Sequence, residues 1–80
     1  MPEVPHRTLD CRGLLCPMPV VRLGREMKTL EPGQALKLLA TDRGACTDVP
    51  AWAEDTGNQL LASHEEDGFL VFLLRKGAPE

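Results

Sequence analysis

Asp67-Gly68 divides the C-terminal part of the chain into two runs, QLLASHEE (59–66) and FLVFLLRK (69–76). An Asp-Gly pair between such runs is a strong signal for a two-residue hairpin, because its tight turn needs positive φ at both central residues. The spacing therefore predicts two antiparallel strands and commits the chain to a β-sheet. The second run is apolar on both faces, with Phe69, Val71 and Leu73 on one and Leu70, Phe72 and Leu74 on the other. A strand that meets helices on one side only should be polar on the other. The open face is therefore expected to be covered, either by the chain termini or by self-association.

Upstream, HRTLD (6–10) is a short candidate strand. Val20, Leu23, Gly24, Met27 and Leu30 then recur at helical steps, with Arg22, Arg25, Glu26 and Lys28 on the rest of the wheel. Glu31-Pro32-Gly33 stops that helix, and QALKLLAT (34–41) reads as a strand with Leu36, Leu38 and Ala40 on one face. DRGACTDVP leads into a second helix, for which Thr47 is the expected N-cap, with Asp48 and Pro50 in the first turn. Val49, Trp52, Ala53 and Thr56 form its inward stripe, and Gly57-Asn58 its stop. Trp52 is expected in the core.

The order β-α-β-α-β-β predicts an α/β two-layer sandwich: a four-stranded mixed sheet covered on one face by two helices. The first two strands should be parallel, joined by a right-handed crossover. Both strand-to-helix loops then emerge at one sheet edge, which brings CRGLLCPMP and DRGACTD together where open α/β sheets place their sites.

Eighty residues make a single domain, 1–80, with a loose tail at 1–5 and a loose C-terminus at 77–80. Three cysteines are an odd number for a disulfide framework, and free thiols suit a reducing, cytoplasmic setting. No apolar run approaches the ~20 residues of a membrane span. The net charge of −3 is uneven: residues 1–40 carry +2 and residues 41–80 carry −5. The acidic total, with no Tyr, makes a nucleic-acid partner unlike the expectation for this chain, and a local basic face remains available for docking a protein.

The chemistry concentrates in DCRGLLCPMP (10–19). Cys16 falls at the start of the first helix, where unpartnered N–H groups favour a thiolate. Pro17 and Pro19 fix φ and hold the sulfur at a rigid tip, although each also removes a donor. A modest depression of the thiol pKa is expected. Gly13 lets the incoming loop turn. His6 and His64 are distant in sequence, so no general base stands beside Cys16, and sulfur exchange is favoured over hydrolysis. The Cys11-x4-Cys16 spacing lacks a second close pair and makes a poor metal site.

LDCRGLLCPMPVVRL resembles the signature of the TusA/SirA family of sulfur-carrier proteins, in which a Cys-Pro-x-Pro motif opens the first helix. Leu9-Asp10, Gly13-Leu14, Pro32-Gly33, Asp48-Val49-Pro50 and Arg75-Lys76-Gly77 extend the resemblance over nearly the whole chain. The resemblance implies that Cys16 accepts sulfane sulfur as a persulfide from a cysteine desulfurase or rhodanese. It then passes the sulfur to an acceptor protein, for transfer-RNA thiolation, molybdenum cofactor supply or sulfur oxidation. Such a chain acts as a protein substrate rather than a turnover enzyme, and the resemblance implies no cofactor and no metal. Gly13, Pro17, Pro19, Arg12 and Asp48 are the candidate supporting residues. Cys11 and Cys46 depart from the small residues usual at their positions and are candidate accessory thiols. Arg22, Arg25 and Lys28 flank the sulfur and are the candidate face for docking an acidic partner. The alternatives are a regulatory or RNA-binding module, and a dithiol redox protein using Cys11 and Cys16.

Overall fold

The computed structural model describes residues 5–78. Its elements are β1 (Arg7–Cys11), α1 (Met18–Met27), β2 (Ala35–Ala40), α2 (Ala45–Thr56), β3 (Gln59–Glu66) and β4 (Phe69–Arg75). The sheet order is β1-β2-β4-β3, with β1 parallel to β2 and β4 antiparallel to both of its neighbours. Asp67 and Gly68 take φ of 44° and 86°, the positive pair that an Asp-Gly hairpin requires. The two-layer sandwich expected from the sequence is thus the fold observed.

The core follows from register. Leu36, Leu38 and Ala40 of β2 pair with Leu74, Phe72 and Leu70 of β4, and all six are buried. Leu23 and Met27 of α1 and Val49 and Ala53 of α2 close over them. Both helix boundaries differ from the sequence reading. α1 ends at Met27, and Leu30 still reaches the core from the turn that follows. α2 starts at Ala45 after Gly44, so Thr47 lies within the first turn and caps nothing. Trp52 is half-buried against the core rather than inside it, and Thr56 is exposed. Gly57, at φ 74°, ends α2 as expected, with Asn58 N–H returning to the Ala53 carbonyl at 3.0 Å.

The open sheet face differs from the expected exposed patch. Val71 is only 3% exposed, and Phe69 and Leu73 are half-buried. Leu39 and His64 flank Val71 across the strands, Lys37 and Ala62 flank Leu73, and the Arg12 guanidinium sits 4.9 Å above the Phe69 ring. Long polar side chains cover apolar surface with their stems. The patch on which self-association through this face was expected is therefore narrower than the alternation implies, with Val71 covered and Phe69 and Leu73 still partly open. β3, at the sheet edge, carries a bulge between Leu60 and Ala62, a feature that blunts open edges.

Of the predicted loose ends, residues 1–4 and 79–80 lie outside the described residues. Residue 77 is not loose. Its N–H donates to Asn58 Oδ1 at 2.9 Å, and Lys76 exchanges backbone hydrogen bonds with Gly33 and Gln34. A Cβ on Gly77 would collide with the Gly57 carbonyl. Gly77→Ala is accordingly expected to cost about 1–3 kcal/mol, as overpacking does. A melting curve should show a Tm lowered by at least about 4 °C.

Candidate functional site: an exposed thiol between two loops

The 41–44 loop ahead of α2 builds the seat of Cys16. Gly13, at φ 84°, turns the chain out of β1, and its N–H donates to Thr41 Oγ1 at 2.8 Å. Cys16 N–H donates to Asp42 Oδ2 at 2.5 Å, while Asp42 Oδ1 accepts from Gly44 N–H at 3.2 Å. Gly44 lies so close that a Cβ there would come within 3.4 Å of Cys16 Cβ. The Cys16–Pro17 peptide is cis, Pro17 caps α1, and Pro19 is buried at the second helical position. Met18 N–H is taken by the Leu15 carbonyl at 2.9 Å. The sulfur is exposed, and its S–H donates to Asp48 Oδ2 at 2.6 Å.

This arrangement reverses the expected pKa shift. The Asp48 hydrogen bond, partial desolvation and the charges of Asp48 and Asp42 push the Cys16 thiol up from its ordinary value. The helix-terminus effect was expected to win. However, Pro17 and Pro19 carry no N–H and that of Met18 is already used, so two carboxylates dominate the surroundings of the sulfur.

The other expected residues separate. Cys11 is buried in the core at the end of β1, and burial pushes its thiol up. That position suits a core residue and not a thiol meeting Cys16 at the surface. Cys46, exposed in the first turn of α2, lies within hydrogen-bonding reach of Arg43, which pairs with Glu65 at 3.1 Å. It lines a shallow recess with Pro50, Ser63, His64, Leu70 and Phe72. Arg12 makes three hydrogen bonds to Asp10, two from its guanidinium at 2.9 and 2.8 Å and one from its backbone N–H at 3.0 Å, and together they hold that carboxyl down at about 2. It is thereby committed to Asp10 and Phe69 and does not support a thiolate. His6 Nδ1 accepts from Ala35 N–H, and His64 pairs with Glu66. Among the described residues no three His, Cys, Asp or Glu side chains form a metal-binding group, and no helix is long and apolar enough to cross a membrane.

Three exposed apolar side chains lie within five residues of the thiol in the chain and were not singled out from the sequence: Leu15 (75% exposed), Met18 (42%) and Val21 (39%). Farther along the same helix, Arg22, Arg25 and Lys28 are exposed. Thr41, Asp42 and Gly44 were likewise missed as individuals, although their loop was placed at the right edge. A recess of about 750 Å³ lies at the opposite ends of the two helices, against Met27, Lys28, Trp52 and Thr56. It has no part in the thiol site.

Fold and site together define an α/β sandwich that presents an exposed cysteine thiol at the tip of its first helix. The family profile described as Sulfurtransferase TusA matches residues 7–76, and the chain belongs to that family of sulfur carriers. It is 45% identical over 71 residues to the putative sulfur carrier protein YrkI of Bacillus subtilis, covering 89% of this chain and 95% of that protein. It is 43% identical to the sulfur carrier protein TusA of Allochromatium vinosum, covering 85% and 90%. A third relative, YrkF of Bacillus subtilis, is 45% identical over 86% of this chain, which spans only 37% of that longer protein. The crystal structure of a SirA-like protein from Desulfitobacterium hafniense superposes with a TM-score of 0.78 at 26% identity, over 90% of this chain and 99% of that one.

Proposed function

We propose that Cys16 carries sulfane sulfur as a persulfide, taken from a donor protein and delivered to an acceptor protein. The observation that carries this reading is the placement of Cys16 in a chain of this family. It is exposed just ahead of α1, donates its S–H to Asp48, and has the exposed Leu15, Met18 and Val21 near it in the chain. Donors of the cysteine desulfurase or rhodanese type fit the chemistry. The acceptor would serve transfer-RNA thiolation, molybdenum cofactor supply or sulfur oxidation, in the cytoplasm, where thiols stay reduced. The transfer is thiol exchange at sulfur, which needs access and in-line approach rather than a deep pocket. The test is intact-mass measurement without reductant after incubation with a desulfurase and cysteine. The wild-type chain should gain one sulfur atom that a reductant removes.

Docking is assigned to a graded surface, apolar around the thiol and basic beyond it at Arg22, Arg25 and Lys28. Once a partner docks, these apolar side chains would exclude water at the point of exchange, and the cations would steer an acidic partner. Reversing the three cations to Glu is expected to slow transfer from an acidic donor by about ten-fold or more at low salt, and to flatten its salt dependence. Stopped transfer assays across a salt series check this. Rates that match wild type at low salt would leave the cations as solvated charges only.

A further inference from the structure

We infer that Asp48 is the proton acceptor and proton donor of the sulfur-exchange step at Cys16, an inference that rests on the carrier role proposed above. Asp48 Oδ2 stands 2.6 Å from the sulfur and receives its S–H directly. Asp48 is half-buried in the first turn of α2, so the helix fixes its carboxylate. Asp42 and Gly44 hold the Cys16 backbone and Cβ against the same loop. The charged groups that act on the sulfur are both acidic: Asp48 from α2 and Asp42 from the loop ahead of it. The nearby cations are engaged elsewhere, Arg12 by Asp10 and Arg43 by Glu65, while Arg22 of α1 acts on Cys11.

A thiolate between two carboxylates is costly to form and a poor leaving group. Both difficulties vanish if the proton moves in the same step as the sulfur. In loading, Cys16 Sγ attacks the outer sulfur of a donor persulfide, R–S–SH, and its proton passes to Asp48. The new Sγ–S bond forms as the donor S–S bond breaks, and the electron pair of the broken bond stays on the donor sulfur. Asp48 then protonates that sulfur to R–SH. The sum is thiol plus persulfide giving persulfide plus thiol, with no external oxidant or reductant. Unloading runs the same path in reverse. An acceptor thiol gives its proton to Asp48, and Asp48 returns one to the departing Cys16 sulfur.

Two reactions of the same sulfur separate this role from a mere perturbation of the thiol. Alkylation by iodoacetamide expels iodide, which needs no proton, so its rate reports only the thiolate fraction. Loading from glutathione persulfide expels a thiolate that must be protonated. Asp48→Asn is expected to speed alkylation several-fold at neutral pH, with its pH profile displaced downward, and to slow loading by about ten-fold or more. Asp48→Ser is expected to give the same two opposite signs, while Asp48→Glu keeps the carboxylate and should keep loading within a few-fold of wild type. Melting curves on each variant show that the folded protein is being compared. If loading accelerates in step with alkylation in Asp48→Asn and Asp48→Ser, Asp48 moves no proton and the inference fails. A wild-type chain that gains no sulfur on Cys16 would instead overturn the carrier role itself.

Discussion

Replacing Cys16 with Ser should leave no mobile sulfur on the chain. After incubation with a desulfurase and cysteine, the variant is expected to keep its unmodified mass. Cys11→Ser and Cys46→Ser should each still gain one reducible sulfur. The expected loss is complete because serine cannot form the S–S bond that the proposed persulfide requires, and because the other two thiols are placed differently. Cys11 is sealed in the core at the end of β1, and Cys46 opens on a separate recess by Arg43 and Pro50. Ser is close to Cys in size and the site is exposed, so a melting curve should stay near that of the wild type. A Cys16→Ser chain that still takes up a sulfur removable by reductant would transfer the carrier role to another cysteine.

Leu74→Ala should be the most damaging of the core truncations. Leu74 is fully buried in a central strand, paired with Leu36 on one side and Leu60 on the other. Truncation of a buried leucine costs about 2.7–5.0 kcal/mol through lost transfer energy and a residual cavity. A domain of this size has a total stability of only about 4–12 kcal/mol. The substitution should therefore lower Tm by roughly 10–40 °C and leave part of the chain unfolded at ambient temperature. Leu61→Ala, at the exposed bulge of β3, should stay within about 0.5 kcal/mol of wild type and provides the contrast. Urea titrations of both variants check the pair. A loss below about 1 kcal/mol at Leu74 would contradict the burial described.

The features legible from sequence are those written in local pattern. Asp67-Gly68 marked the hairpin because positive φ at two successive residues needs such a pair. The alternation of Leu36, Leu38 and Ala40 marked the inner face of β2 because a strand turns alternate side chains the same way. Cys16 stood out through its prolines. What escaped depended on contacts between distant segments. Gly44 starts α2 with no side-chain cap, so Thr47 looked like the better signal. The direction of the Cys16 pKa shift was inverted because the local view counted the helix end, did not single out Asp42, and named Asp48 as a support without its charge acting on the sulfur; the two lie 26 and 32 residues away. Arg12 could be placed near the site but not oriented, since its partners are Asp10 and the ring of Phe69 across the sheet. Val71 was misjudged because alternation reports which face a residue takes and not how far its neighbours lean over it.

The hydrogen bond from Cys16 to Asp48 also bears on how such a thiol survives between deliveries. Peroxide attacks thiolates, and the path from sulfenic through sulfinic to sulfonic acid ends irreversibly. An exposed cysteine at a helix tip would ordinarily be a prime target for that damage. Here the proton is retained and the sulfur faces two negative charges, which lowers the fraction open to oxidation and repels anionic electrophiles. Wild-type Cys16 is thus expected to resist peroxide better than Cys16 in Asp48→Asn, so that its exposure can serve a docked partner at little oxidative cost.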